Sequence, residues 1–327
     1  MASGRLIRKA QGRGGVMKIT ITPRGFTKNG MDYIQLLKDR GHEVEYNDTG
    51  KSYTREQFFE HCKDSVGVIC ASEKVDSEFF DANPQLKCII KFGVGVDNID
   101  VEYAQSKGVF VGRCAGSNSR SVAEHAMTLM LAASKNLYDG IYETKNKNWK
   151  KFSGFEILGK TLGIIGFGAI GKHFAAIAKG LGMDVLCYDS FPIENETAKE
   201  YNVSIASLEE IYEESDFISV HVPLNEETRN MISLPEMKKM KNSCILINTA
   251  RGGIINEDDL YTALKEGIIK AAYFDVFSSE PPKEDEKLLD LENFYLTPHM
   301  AASTKEADIN CCRMSTEILL DRLGDYL

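Results

Sequence analysis

The sequence of 327 residues has no apolar run approaching the roughly twenty residues that a membrane-spanning helix needs, which argues against an α-helical membrane protein. It also lacks an excess of positive charge. The formal net charge of −9 argues against a nucleic-acid or acidic-membrane surface, while leaving room for a local basic pocket. Eight cysteines are scattered as Cys62, Cys70, Cys88, Cys114, Cys187, Cys244, Cys311 and Cys312, with no C-x-x-C pair and no Cys/His cluster at metal-ligand spacing. That pattern points away from a disulfide framework or a metal site and toward reduced core thiols in a cytoplasmic protein. Residues 1–16 are basic and glycine-rich but carry no apolar h-region, so they do not read as a secretory signal; an N-terminal extension or tag is expected there. There is no repeat of solenoid length and no low-complexity segment.

What is present is the composition of a globular protein, 43% apolar and 27% charged, with enough length for two domains. From Met17 onward, apolar runs at 19–21, 66–70, 88–90 and 109–111 read as strands. Helical patterns lie between them at 33–37, 57–62 and 77–80. Strands separated by helices imply a parallel sheet with crossovers. A long, mostly buried helix is expected over 118–137, from the apolar positions Val122, Ala126, Leu129, Met130 and Ala133, with Ser119 or Ser121 and Glu124 able to cap its start. A polar arm at 138–159 carries the only tryptophan, Trp149. Six further strands, at 162–165, 183–188, 216–220, 243–247, 270–274 and 294–297, complete a doubly wound sheet, and 303–327 reads as a last helix.

The stretch 161–171, Thr-Leu-Gly-Ile-Ile-Gly-Phe-Gly-Ala-Ile-Gly, organises the rest. An apolar strand feeds Gly166, Gly168 and Gly171, and a helix pattern follows. Gly166 allows a tight turn, Gly168 clears a path to the backbone for a pyrophosphate, and Gly171 lets the helix pack close to the strand. The helix start offers free N–H groups to phosphate. Asp189 ends the next strand, where a carboxylate accepts both ribose hydroxyls of NAD and repels the extra phosphate of NADP. The cofactor expected from the residues is therefore NAD.

Four more stretches fall at strand ends, where ligands bind in open α/β sheets. Residues 217–223 end with His221, Val222 and Pro223. Residues 247–253 bring Thr249, Ala250 and Arg251. Residues 272–282 bring Asp275 and Glu280, and residues 296–304 bring His299. Taken singly, an arginine beside glycines or a histidine after a proline is ordinary. Their arrival at one edge of one nucleotide-binding sheet is not.

Together with Gly93-Val94-Gly95-Val96-Asp97-Asn98-Ile99-Asp100 and Asn118-Ser119-Arg120-Ser121-Val122-Ala123-Glu124, these motifs make the chain resemble the D-2-hydroxyacid dehydrogenases over nearly all of 17–327, closest to the short phosphoglycerate dehydrogenase branch. The resemblance implies an α/β protein with a doubly wound parallel Rossmann NAD-binding domain at 114–298. That domain is inserted in a smaller flavodoxin-like substrate-binding domain made of 17–113 and 299–327. It implies that Arg251, Glu280 and His299 are catalytic, and that Ala169, Ile170, Asp189, Val222, Thr249, Ala250 and Asp275 lie at cofactor-contact positions, beside the glycine turn, His221 and Pro223. Lys91, Gly93, Val94, Gly95 and Arg251 are the implied substrate contacts, with backbone N–H groups of the Gly93–Gly95 loop on the substrate carboxylate. A homodimer through the NAD domains is implied, with the 118–137 helix and the Trp149 arm as contact. No metal, nucleic acid or membrane partner is expected.

The chain departs from the family pattern in two places. Met300-Ala301 stands where many members have Ile-Gly after the histidine, and Cys70 and Lys91 stand where longer phosphoglycerate dehydrogenases place two phosphate-binding arginines. Arg24, Lys28 and Lys74 are the other cations of that segment. No regulatory domain of the long forms follows, so serine feedback of that kind is not expected. The resemblance thus leaves open a D-3-phosphoglycerate dehydrogenase, a glyoxylate/hydroxypyruvate or other 2-keto-acid reductase, and an NAD-sensing, dehydrogenase-like interaction protein.

Overall fold

The computed structural model describes residues 16–324. The N-terminal extension expected at 1–16 lies almost wholly outside the described residues, as do the last three residues of the expected final helix. The chain divides into two compact units, Ser119–Thr304 and a second made of Met1–Asn118 with Lys305–Leu327.

The discontinuous unit begins with β1 (Lys18–Ile21), the short helices α1 (Phe26–Asn29) and α2 (Met31–Asp39), and β2 (Glu43–Tyr46). It continues through α3 (Arg55–Cys62), β3 (Gly67–Cys70), α4 (Ser77–Ala82), β4 (Cys88–Lys91), α5 (Val101–Ser106) and β5 (Phe110–Arg113). Its five strands are all parallel in the order β2-β1-β3-β4-β5, the flavodoxin-like arrangement. Side chains alternate between faces, as the strand period demands. Val68, Cys70 and Ile89 join Phe58, Phe79 and Phe80 on one face. Ile69, Cys88 and Ile90 join Cys312, Leu319 and Leu323 of the C-terminal helix on the other. Both faces are covered, which is why these strands read as unbroken apolar runs.

The continuous unit opens with α6 (Ser119–Lys135) and α7 (Leu137–Lys145). It builds its sheet from β6 (Thr161–Ile165), α8 (Ala169–Gly180), β7 (Asp184–Tyr188), α9 (Asn195–Tyr201), β8 (Ser204–Ile205), α10 (Leu208–Glu214) and β9 (Phe217–Val220). Then come α11 (Leu234–Met237), β10 (Ile245–Asn248), α12 (Glu257–Lys265), β11 (Ala271–Phe274) and β12 (Phe294–Leu296); α13 (Lys305–Gly324) returns to the other unit. The seven strands are parallel in the order β12-β11-β10-β9-β6-β7-β8. This is the Rossmann order with a seventh strand added. Its switch point falls between β6 and β9, beside the glycine turn.

Three local expectations need correction. The 138–159 arm contains a helix, α7, although none of its side chains is buried. The sheet of the continuous unit has one strand beyond the six expected, β8, of only two residues. Ser121 does not cap α6: it is buried, and its hydroxyl donates to the Ala301 carbonyl at 2.6 Å. All eight cysteines are free and buried. Among the described residues no helix is long and apolar enough to cross a membrane, and no acidic, histidine or cysteine cluster could hold a metal ion.

Candidate functional site

The glycine turn is built as a cradle. Gly166 has φ +99°, and a Cβ there would lie 2.6 Å from the His221 carbonyl oxygen. A Cβ at Gly171 would lie 2.3 Å from the Gly166 carbonyl oxygen, so helix and turn meet backbone to backbone. Gly168 differs. It is the N-cap of α8, it offers no capping side chain, and nothing lies within 4 Å of where its Cβ would be. Glycine at 166 and 171 is required by packing, whereas at 168 it keeps an exposed surface open over a helix N-terminus. Uncapped N–H groups and the positive end of α8 suit a phosphate. Ala169 and Ile170 form the first turn of this helix.

Asp189 follows β7, and its carboxylate accepts from the Phe167 N–H at 2.7 Å and the Phe191 N–H at 3.0 Å. It is thereby fixed next to the glycine turn. Val222 also abuts the turn, its Cγ1 lying 3.0 Å from the place a Gly166 Cβ would take; Pro223 follows it. The His221 imidazole turns inward, edge-on to Phe174 at 5.5 Å between centroids, with Nε2 2.9 Å from Ser219 Oγ. Burial lowers its pKa to about 3, so the ring is neutral. Its Nδ1 and the Thr249 hydroxyl are both buried without a hydrogen-bond partner among the described residues. Two orphaned polar atoms at neighbouring strand ends, an open N-terminal cradle and a fixed carboxylate are the donor set a dinucleotide needs. The residues present fit NAD.

The three loops carrying Arg251, Glu280 and His299 brace one another. Asn248, at the end of β10, shapes the first: its Oδ1 accepts from the Ala250 N–H at 3.0 Å and its Nδ2 donates to the Arg251 carbonyl at 2.9 Å. Arg251 Nη1 donates to the Ala250 carbonyl at 2.7 Å. A Cβ on the following Gly252 would lie 2.0 Å from the Phe277 carbonyl carbon, which puts the arginine loop in backbone contact with the loop that holds Glu280. Glu257 secures the same junction, its carboxylate accepting from the N–H and hydroxyl of Ser278. Burial raises its pKa against those hydrogen bonds.

Glu280 Oε1 accepts from the Phe277 N–H at 3.0 Å, and its Oε2 lies 2.6 Å from His299 Nδ1. The pairing leaves His299 Nε2 without a protein partner among the described residues, on a half-exposed side chain. A carboxylate on one ring nitrogen fixes the tautomer and leaves the other nitrogen to exchange protons. His299 has φ +48°, a left-handed conformation that costs a non-glycine residue about 1–3 kcal/mol. Asp275 holds that backbone. Its fully buried carboxylate accepts from Thr297 Oγ1 at 2.5 Å, the Met300 N–H at 2.9 Å and the Ala301 N–H at 2.8 Å. Burial pushes the Asp275 pKa up, and the bonds from His125, Thr297, Met300 and Ala301 outweigh it, holding the carboxyl below its usual range. Ala301 is buried.

The chain matches the model of the D-isomer specific 2-hydroxyacid dehydrogenase NAD binding domain over residues 127–301. It is 42% identical over 85% of its length to a D-3-phosphoglycerate dehydrogenase of Archaeoglobus fulgidus. The chain belongs to this family. It is also 44% identical to a hydroxypyruvate reductase of Thermotoga maritima, over 74% of this chain and 79% of that one. Among solved structures, it is similar to the D-lactate dehydrogenase of Aquifex aeolicus complexed with NAD and lactic acid. The TM-score is 0.79, with 29% identity, and the match covers 94% of this chain and 96% of that one. The chain spans 52% of the length of the Archaeoglobus relative, about half. In the family the matched domain binds NAD, and the cradle described above lies in the same stretch.

The implied substrate contacts other than Arg251 belong to the discontinuous unit. Lys91, at the end of β4, donates through Nζ to Asn98 Oδ1 at 2.6 Å and to the Ala71 carbonyl. Asn98 also donates to the Glu73 carbonyl, so Lys91 ties the 93–98 loop to the loop after β3. Gly93 spends its N–H on the Lys91 carbonyl, while the Val94 and Gly95 N–H groups make no hydrogen bond among the described residues. Cys70 is buried, Lys74 pairs with Asp76 at 3.1 Å, and Arg24 is exposed.

Sequence reasoning missed His125, Glu257 and the contact at Gly252. The one signal for His125 was its spacing of four from Ser121, which puts both on one face of α6. Nothing in the sequence said that this face meets residues about 170 positions away.

Proposed function

We propose that the protein is an NAD-dependent oxidoreductase that interconverts a small D-2-hydroxy acid and its 2-keto acid. The observation that carries this reading is the Glu280–His299 pair in the same unit as the dinucleotide cradle. When bound, NAD(H) supplies or accepts the hydride at the substrate C2. Arg251 holds the substrate carboxylate and polarises the 2-keto oxygen with its planar, permanently charged fork. His299 Nε2 gives a proton to that oxygen in the reductive direction and takes it back in the oxidative direction. Glu280 keeps the ring turned so that Nε2, and not Nδ1, is the exchanging nitrogen. The Val94 and Gly95 N–H groups are suited to a carboxylate as well. The units take the roles of NAD-binding (Ser119–Thr304) and substrate-binding domain.

Relatives named for phosphoglycerate, hydroxypyruvate and glyoxylate share similar identity to the chain. We favour D-3-phosphoglycerate as substrate on the resemblance to its dehydrogenases and on Arg24, exposed and without an ion pair among the described residues, in the loop that follows β1. The engagement of Lys91 by Asn98 favours the second reading, an unphosphorylated keto acid. A panel of 3-phosphohydroxypyruvate, hydroxypyruvate, glyoxylate and pyruvate with NADH separates them; activity only on the last three overturns phosphoglycerate. In the same assay His299→Asn should lose roughly 10²–10⁴-fold in kcat with NADH affinity kept. Tight NADH binding without turnover on any acid would make the protein an NAD sensor instead.

The α7 arm exposes Leu137, Tyr138, Ile141, Tyr142 and, at 86%, Trp149. We read it as the face covered by a second copy, which sedimentation of the wild type and a Trp149→Ser/Tyr142→Ser variant would test.

A further inference from the structure

We infer that His125 is a positioning residue, acting with Asp275 to fix the backbone on which His299 sits. The inference rests on the acid/base reading of His299 and adds what places its free nitrogen.

The 297–301 loop has a specific problem. His299 occupies a left-handed conformation, which leaves the N–H groups of Met300 and Ala301 converging on one side as an anion-binding concavity. Asp275 fills it with one oxygen for each N–H, and Oδ1 takes the Thr297 hydroxyl as well. The Thr297 proton is thereby spent, so its oxygen is an acceptor toward His125 Nε2 at 3.1 Å. His125 Nε2 must then carry a hydrogen, which also faces Asp275 Oδ1 at 3.4 Å. One helical turn earlier, Ser121 donates to the Ala301 carbonyl. A single face of α6 thus holds the loop at residue 297 and at residue 301, with His299 between them.

An apolar residue at 125 would fill the same space and leave the helix intact. It could not donate to Thr297 and Asp275. The carboxylate would then carry its charge with one partner fewer, and the Thr297 hydroxyl, already 3.3 Å from the Phe274 carbonyl, could give its proton wholly to that oxygen. The loop would lose its reason to hold His299 left-handed, and Nε2 would drift relative to the substrate oxygen. A misplacement of about 1 Å at a reacting group is worth up to ~10²-fold in rate.

The test compares His125→Leu, which matches bulk without a donor, with His125→Gln, whose amide nitrogen reaches the Nε2 position. His125→Leu should lower kcat about 10- to 100-fold with KM and NADH affinity within about threefold of wild type, and His125→Gln should recover most of the loss. In histidine-labelled protein, the φ-sensitive Cα and Cβ shifts of His299 should move in the leucine variant and return in the glutamine variant. Wild-type kcat and unchanged His299 shifts in His125→Leu would overturn the inference. So would a lowered melting temperature with kcat and shifts intact, since that is a purely structural role. If His299→Asn itself keeps full turnover, the acid/base reading fails instead, and the His299 shifts still report whether His125 holds the loop.

Discussion

Gly252→Ala is the sharpest perturbation the geometry offers. The added methyl would sit 2.0 Å from the Phe277 carbonyl carbon, 2.2 Å from its oxygen and 2.2 Å from the Ser278 nitrogen. Ordinary carbon contacts begin near 3.5 Å, so the two loops must part by roughly 1.5 Å. All three atoms are backbone, and Ser278 is pinned by Glu257, so no side chain can swing aside. Overpacking of this kind costs typically 1–3 kcal/mol, which lowers Tm by roughly 3–10 °C in a unit of this size. The same displacement separates Arg251 from the Glu280 loop and from its partner His299, and about 10²-fold in kcat/KM should go with it. Differential scanning fluorimetry and steady-state reduction of a keto acid read the two effects. A variant that melts within 2 °C of wild type and turns over normally would refute the close approach of these loops.

Gly168→Ala should behave in the opposite way, because its methyl meets nothing: Tm stays put while NADH binding, measured by fluorescence titration, weakens at least tenfold. Gly171→Ala in the same motif should lose stability first, since its methyl would press on the Gly166 carbonyl. The pH dependence of stability should follow His221, whose folded pKa of about 3 lies below its unfolded value near 6.5. The unfolded state therefore binds the extra proton, and stability falls as pH drops through this window, by up to about 1.4 kcal/mol per unit. His42, lowered by burial, adds in the same direction. Asp275 does not contribute there, because a depressed carboxyl loses its stabilisation only below about pH 4. His221→Gln should flatten the Tm profile between pH 6.5 and 4.5, and an unchanged slope would show that the ring is not buried neutral.

The parts of this architecture that were legible in the sequence are those where local chemistry has one solution. The apolar run 162–165 could only be a strand covered on both faces, and the glycines after it could only be a turn into a helix. The strand-end positions of Arg251, Asp275, Glu280 and His299 followed from the alternation of elements. β2 escaped because Glu-Val-Glu-Tyr on a sheet edge buries too little to leave an apolar signature. α7 escaped because its Leu137, Tyr138, Ile141 and Tyr142 lie among charged residues and face outward. Ser119 or Ser121 reads as a cap because capping is a local rule, whereas the partner of Ser121, Ala301, is 180 residues downstream. Long-range polar contacts of this kind leave no periodic trace, and that is where His125 and Glu257 were hidden.

The proposed acid/base pair Glu280–His299, Arg251 and the nucleotide cradle all fall inside one uninterrupted stretch of chain, Ser119–Thr304, while Lys91 and the Gly93–Gly95 turn lie in a segment encoded before it. On the proposed reading, proton handling and redox chemistry can be inherited as a single block. On the same reading, changes of a few residues near position 93 would retune which acid is accepted without disturbing that block. Relatives of similar identity that carry different substrate names are what such a division of labour would leave behind.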